Sequence, residues 1–537
     1  MNAHLRRTFY LFVAWFVALT GVLAYWQVYA RESMVTDSAN SLQSRRVQEA
    51  PRGLILAGDG KTELARSVQE NDGTYKRVYP EGSAYSHVVG YWSTRYGASG
   101  IEISKNDDLS GGGGGEPKTL DELINQARGG PQAGNDVELT LDPKLQRLAY
   151  DQLASSTTGR GAAVALDPQT GEILALASYP SYDPNNLDET FSDLSKDPNS
   201  PLLNRATQGL YPPGSTFKVI TTAAALKAGV KPTDKFNDTG TYETPGYTVY
   251  NYQAKKYGEV TFTQAFGYSI NAIFARIGHE YVGAQNLAQT ARDFGFDAPY
   301  KDFPLPVRTS SLGDLPPEQW AQGNTAQIAF GQGPVLSNAF EMALVAATVA
   351  DGGTIMEPRI VREVRSPDGA ILDKPTSRVR SRVLDKETTK TLNDMMQHAI
   401  SDVETSGQIP GIKVGGKTGT AEATGGELHS WFIAFAPADE PKIAVAVLVE
   451  NGQEGYKAAL PIARRIMETY LGPQETRQNT QQPATPQSRP ETTSPSTQPA
   501  QPKNAAPFQV PFQNPGQSPS QVPGKVPNQI PGQRPSG

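Results

Sequence analysis

In Tyr211-Pro212-Pro213-Gly214-Ser215-Thr216-Phe217-Lys218 a hydroxyl and an amine stand three residues apart, just ahead of a helical run over residues 219–228. Proline and glycine before Ser215 place its hydroxyl at a helix start, with Lys218 on the same face. A serine must lose its proton before it attacks a carbonyl, and the five histidines stand singly in the chain, so the amine of Lys218 is the candidate acceptor. That amine has to be neutral at least transiently, which burial or a second nearby cation would favour. On this segment alone a second interpretation stands beside the first: Ser215 as a helix cap and Lys218 as a surface lysine.

Two further segments carry matching chemistry. Ser269 and Asn271 follow Tyr268 and open another helical stretch, where two short polar side chains can relay a proton and orient a peptide, or simply cap the helix. Gly416-Lys417-Thr418-Gly419-Thr420 puts small residues on a strand along which a substrate backbone can lie. The amide of Thr420 can pair with that of Ser215 to hold an oxyanion, and Lys417 can attract a carboxylate and serve as the second cation. Residues 411–418 also satisfy the spacing of a phosphate-binding loop, but glycines and then a strand follow Lys417 where such a loop requires a helix.

These segments need a scaffold. An alternating strand begins at Asp136, and helical spacing covers residues 143–155. Residues 161–166 and 172–178 form a hairpin about the turn Asp167-Pro168-Gln169-Thr170-Gly171. Strands over 430–436 and 442–449 and an amphipathic helix over 457–471 close the domain. Hairpins at both ends with helix-rich sequence between them predict one antiparallel sheet backed and fronted by helices.

Outside residues 136–472 the chain changes character. Residues 9–26 carry no charge, and about 18 helical residues reach about 27 Å, close to a hydrocarbon core. Arg6 and Arg7 before this run, with Tyr25, Trp26 and Tyr29 at its far edge, predict an anchor over 9–30 with residues 1–8 cytoplasmic and the rest outside. The competing reading is a signal peptide cleaved after Ala30. Residues 31–135 are polar, interrupted by Gly111 to Gly115 and Gly129-Gly130-Pro131, and are expected to form a small domain on a stalk. Residues 473–537 hold 15 of the 42 prolines with many Gln, Ser and Thr, a composition expected to remain disordered.

Composition narrows the function classes. With no cysteine, disulfides, thiolate nucleophiles and Cys-ligated metals are excluded, and the isolated histidines give no helical zinc pair. No metal or organic cofactor is expected. A net charge of -6 gives no support for nucleic-acid binding.

In this order the three segments match the set Ser-x-x-Lys, Ser-x-Asn, Lys-Thr-Gly of penicillin-binding proteins and β-lactamases. The chain resembles a class B penicillin-binding protein of the short type found in actinobacteria and related Gram-positive bacteria. Pro51-Arg52-Gly53-Leu54-Ile55, Gly100-Ile101-Glu102, Asn204-Arg205-Ala206 and Gly331-Gln332-Gly333 extend the likeness. The resemblance implies an α+β penicillin-binding/serine transpeptidase fold with a helical subdomain over 136–472 and a reduced N-terminal pedestal over 31–135. It implies Ser215 as nucleophile, Lys218 as base, Ser269 and Asn271 as relay and clamp, and Lys417, Thr418, Gly419 and Thr420 as the substrate-binding edge. It also implies peptidoglycan stem peptides as donor and amine acceptor, β-lactams as covalent ligands, and single-pass anchoring in the cell membrane. About 105 residues ahead of Asp136 leave no room for a glycosyltransferase domain, so glycan polymerisation is expected from a separate protein. Hydrolysis by a D,D-carboxypeptidase or β-lactamase, and a non-catalytic β-lactam sensor or wall scaffold, are the alternatives.

Overall fold

The computed structural model describes residues 3–24, 50–111, 132–422 and 426–472 of the 537-residue chain. In order, the catalytic part gives α1 (Pro143–Ala154), β1 (Gly161–Leu166), β2 (Ile173–Tyr179), α2 (Lys218–Lys227), α3 (Asn271–Arg276) and α4 (Ala339–Ala350). It continues with α5 (Lys386–His398), β3 (Gly415–Glu422), β4 (Leu428–Ala436), β5 (Ile443–Val449) and α6 (Ala459–Leu471).

The five strands make one antiparallel sheet in the order β3-β4-β5-β1-β2, so the predicted sheet and both hairpins are present. Both faces are covered, and the strands accordingly read as almost continuous apolar runs instead of alternating ones. Val164, Leu166, Ile433 and Phe435 pack with α4 on one side. Ala163, Phe432, Val445 and Val447 pack with α1 and α6 on the other. α4 is buried all round, as its sequence of alanines, Met342, Leu344 and Val345 requires. Its buried Glu341 accepts the Tyr300 hydroxyl at 3.0 and 3.1 Å, and burial pushes the carboxyl up to about 8.

The pedestal is not bounded as expected. Its six-stranded sheet runs Ile371–Asp373, Val361–Arg365, Asp136–Leu139, Ile55–Leu56, Glu63–Gln69, Tyr75–Val78. The strand at Asp136 therefore belongs to the pedestal, pairing parallel with Ile55–Leu56, and two strands from beyond residue 360 complete the sheet. Burial decides this: Val137 and Leu139 point into the pedestal core with Ile55 and Leu64, all at most 1 % exposed. Beneath them, the buried Glu102 binds Arg52 at 2.9 Å and Arg77 at 2.6 Å.

An amino-terminal helix covers Ala3–Ala24 and presents Leu11, Phe12, Trp15 and Phe16 outward. The span expected over 9–30 is not shown: among the described residues no helix is long and apolar enough to cross a membrane. The first turns of Ala3–Ala24 carry His4, Arg6 and Arg7, and residues 25–30 lie outside the described residues. The tail over 473–537, most of the stalk, and the glycine run after Gly111 also lie outside them.

Candidate active site

Ser215 does not open a regular α-helix. It sits in a 3-10 turn, Gly214–Phe217, that feeds α2, whose first residue is Lys218. Neither element is capped by the Ser215 side chain, which removes the helix-cap interpretation. The turn is seated by backbone contacts. The Gly214 amide donates to the Gly331 carbonyl at 2.9 Å, the Trp431 indole donates to the Pro212 carbonyl at 2.9 Å, and Tyr211 pairs with Ser337 in both directions at 2.8 Å. Gly331 has φ +80°, and a Cβ there would lie 1.9 Å from the Gly214 carbonyl oxygen, so only glycine fits.

The same turn presses against β3. A Cβ on Gly419 would meet the Thr216 methyl at 2.8 Å, and one on Gly214 would meet the Thr420 carbonyl at 2.4 Å. Small residues at both positions bring the Ser215 backbone beside the Gly419-Thr420 segment, as the proposed pairing of the Ser215 and Thr420 amides requires. Thr418 and Thr420 stay partly exposed on this strand, and Ser215 is partly buried. Lys417 sits within the strand with no helix after it, which dismisses the phosphate-loop match.

Lys218 and Lys417 are buried, at 0 and 1 % exposure, and the surface-lysine interpretation of Lys218 fails. The Lys218 amine donates to the Ser269 carbonyl at 2.7 Å, the Ser269 hydroxyl at 3.2 Å and Asn271 Oδ1 at 2.8 Å. Lys417 donates to the same Ser269 hydroxyl at 3.0 Å and to the Thr418 carbonyl at 3.0 Å. Below the two amines lie the rings of Phe274, 5.2 Å from Lys218 Nζ, and Phe266, 5.8 Å from Lys417 Nζ. Desolvation holds Lys218 well below the ordinary lysine range, and the Lys417 charge adds to it. Lys417 is itself lowered by burial to about 8, against the pull of the Glu404 carboxylate.

This arrangement leaves Lys218 ready to take a proton. A neutral amine has two hydrogens, and two carbonyl oxygens, Ser269 O and Asn271 Oδ1, take both. Its lone pair remains for a hydroxyl. The Ser269 hydroxyl bridges the two lysines, so it can accept from Lys417 while donating to Lys218. Ser269 holds this post with φ +58°, a left-handed conformation uncommon for serine, and caps no helix; α3 starts after Ile270 without a side-chain cap. The Ser215 hydroxyl makes no hydrogen bond to the described residues, so the expected Ser215–Lys218 bond is replaced by Lys218 contacts to Ser269 and Asn271.

Sequence reasoning missed the electrostatic supports. Glu450, at the end of β5, accepts Tyr211 OH at 2.6 Å and Arg205 Nε at 2.7 Å, tying the Asn204-Arg205-Ala206 segment to the turn before Ser215. Glu404 stands near Lys417 but belongs to no motif. Neither carboxylate has a local spacing that marks it.

Residues 161–468 match the penicillin binding protein transpeptidase domain, and residues 52–137 match the penicillin binding protein A dimerisation domain. The chain is 37% identical over 499 residues to the peptidoglycan D,D-transpeptidase PbpA of Mycobacterium tuberculosis, covering 88% of this chain and 99% of the relative. It is 30% identical over 483 residues to the peptidoglycan D,D-transpeptidase MrdA of Escherichia coli, covering 77% and 74%. A solved penicillin G acyl-enzyme complex of M. tuberculosis penicillin-binding protein A superposes with TM-score 0.72 at 36% identity, covering 79% of this chain and 100% of that one. With the transpeptidase match spanning more than half of its length and the active-site segments gathered around Ser215, the chain belongs to the class B penicillin-binding protein transpeptidases.

Proposed function

We propose that this chain is a peptidoglycan D,D-transpeptidase that cross-links stem peptides through an ester on Ser215 and is acylated there by β-lactams. The observation that carries this reading is the buried Lys218 amine, whose nitrogen meets the Ser269 carbonyl and Asn271 Oδ1, enough acceptors for both hydrogens of its neutral form, and faces the Ser269 hydroxyl at 3.2 Å with its remaining valence.

Ser215 Oγ attacks the carbonyl of the penultimate D-alanine while its proton passes to Lys218 Nζ. The amides of Ser215 and Thr420 receive the oxyanion, and the Lys417-Thr418-Gly419-Thr420 edge holds the donor's terminal carboxylate and backbone. As the C–N bond breaks, the proton travels from Lys218 through the Ser269 hydroxyl to the departing D-alanine amine. Asn271 holds Lys218 and the donor peptide. The amine of a second stem peptide then attacks the ester, gives its proton back along the same route and releases Ser215. A strained β-lactam ring opens in the first step and leaves the serine esterified.

The chain is anchored in the cell membrane with its catalytic domain outside and works with a separate glycosyltransferase. Supporting this are the uncharged residues 9–26 behind Arg6 and Arg7, and the outward apolar side chains of Ala3–Ala24.

Exposing the protein and its Ser215→Ala variant to a fluorescent penicillin tests the reading. Covalent label on the Ser215 peptide in the first and none in the second is the expected result, and label surviving the substitution overturns it. A stem-peptide donor with a supplied amine then separates cross-linked product from the hydrolysed acid.

A further inference from the structure

Five of the seven non-glycine residues with left-handed backbone among the described residues gather at the active-site cleft: Ser269, Gln253, Ala254, Asn451 and Gln453. Ser269 belongs to the proton relay. The other four flank an exposed tyrosine and a partly buried glutamate that meet across the cleft mouth, where the Tyr252 hydroxyl donates to Glu454 Oε1 at 2.8 Å over a separation of 202 residues.

Each partner is rooted in a different wall of the cleft. Tyr252 follows Asn251, whose Oδ1 accepts the Ala272 amide at 2.9 Å, and Asn271 Nδ2 donates to the Tyr250 carbonyl at 3.3 Å. That side therefore moves with Ser269 and Asn271. Glu454 precedes Gly455, whose amide donates to Thr420 Oγ1 at 3.3 Å, and its own carbonyl accepts Ser430 Oγ at 3.2 Å. That side moves with the strand bearing Lys417 and Thr420. Lys457 steadies the carboxylate at 2.8 Å. A donor peptide lying between the Ser269–Asn271 wall and β3 must pass beneath or displace the Tyr252–Glu454 contact.

We propose that Tyr252 and Glu454 form a clasp that selects donors by bulk, admitting compact groups while closed and bulky ones only after the hydrogen bond opens. The assignment rests on the transpeptidase reading above. The chemistry suits a gate. A charge-assisted bond gives the closed form an advantage, but Tyr252 is 55 % exposed, and water competes for both partners. The closed state then exceeds the open one by about tenfold at most, so a bulky donor is slowed and not barred. Left-handed residues on both sides hold the two loops in a conformation that opening can relax.

The test compares acylation rate constants for a compact penicillin and for a penicillin carrying a large fluorescent substituent, in the full chain and in Tyr252→Phe, Glu454→Ala and the double variant. Each single substitution is expected to raise the rate with the bulky lactam about three- to tenfold and to change the compact one less than twofold. The double variant should gain no more than either single one, because both remove the same bond. Thermal midpoints are measured alongside to show that the fold persists. Equal effects on both lactams, no gain with the bulky one, or gains that multiply in the double variant overturn the clasp. If the unaltered protein shows no label at Ser215, the acyl-enzyme reading fails first and the clasp with it.

Discussion

The alkaline limb of acylation should belong to Lys417, and Glu404 should set its position. In the proposed mechanism Lys417 serves as a cation in two ways: its charge lowers Lys218, and it attracts the donor's carboxylate. With its amine lowered to about 8, the charged fraction falls from about nine-tenths at pH 7 to about one-tenth at pH 9. Penicillin acylation should therefore lose about tenfold over that interval, equivalent to about 1.4 kcal/mol. Lys218 gives the opposite limb. It must be neutral to accept the Ser215 proton, and because burial and Lys417 hold it far below an ordinary lysine, this limb lies on the acid side. Glu404→Gln removes the carboxylate that favours charged Lys417, so the alkaline limb moves to lower pH while the acid limb stays. Second-order rate constants of penicillin acylation, followed from pH 5 to 9.5 in both proteins, read both limbs. A wild-type rate level to pH 9.5, or an alkaline limb that moves upward in Glu404→Gln, refutes the reasoning.

Three other outcomes follow from single contacts. Ser269→Gly relieves the left-handed backbone and should raise or preserve the thermal midpoint, with about 1 kcal/mol of strain released against the entropy of glycine, yet acylation should drop about a hundredfold or more through loss of the relay hydroxyl. Gly331→Ala drives a methyl into the Gly214 carbonyl, so the Ser215 turn must shift; labelling should fall far more than far-ultraviolet circular dichroism changes. Glu102→Gln leaves Arg52 and Arg77 buried beside each other without their carboxylate, and chemical denaturation should show a loss of about 3–5 kcal/mol.

The chemistry was legible because it is written in short spacings. Ser215 and Lys218 lie within one turn, Ser269 and Asn271 two positions apart, and Lys417 to Thr420 on one strand, so residue type and local geometry mark them together. The β1–β2 hairpin was legible for the same reason, since its proline and glycine define the turn. What escaped depends on distant partners. Lys218 bonds to Ser269 and Asn271 more than 50 residues away, and Glu450 reaches Arg205 across 245. Strand pairing gives the clearest case. Asp136–Leu139 reads as an alternating strand, but periodicity cannot say which sheet receives it, and Val361–Arg365 is needed to complete that sheet.

The pedestal sheet is threaded by the catalytic chain, which leaves after α4, contributes Val361–Arg365 and Ile371–Asp373, and returns as α5 beside β3. Pedestal and enzyme are therefore one mechanical body and not a head on a detachable foot. Cutting at residue 136 would strip Ile55–Leu56, one of its two neighbours, from Asp136–Leu139 and bare hydrogen-bonding groups to any passing chain. From Ile371–Asp373 the chain runs on through α5, which packs beside β3, so the pedestal sheet and the strand that carries Lys417 share one continuous stretch of backbone.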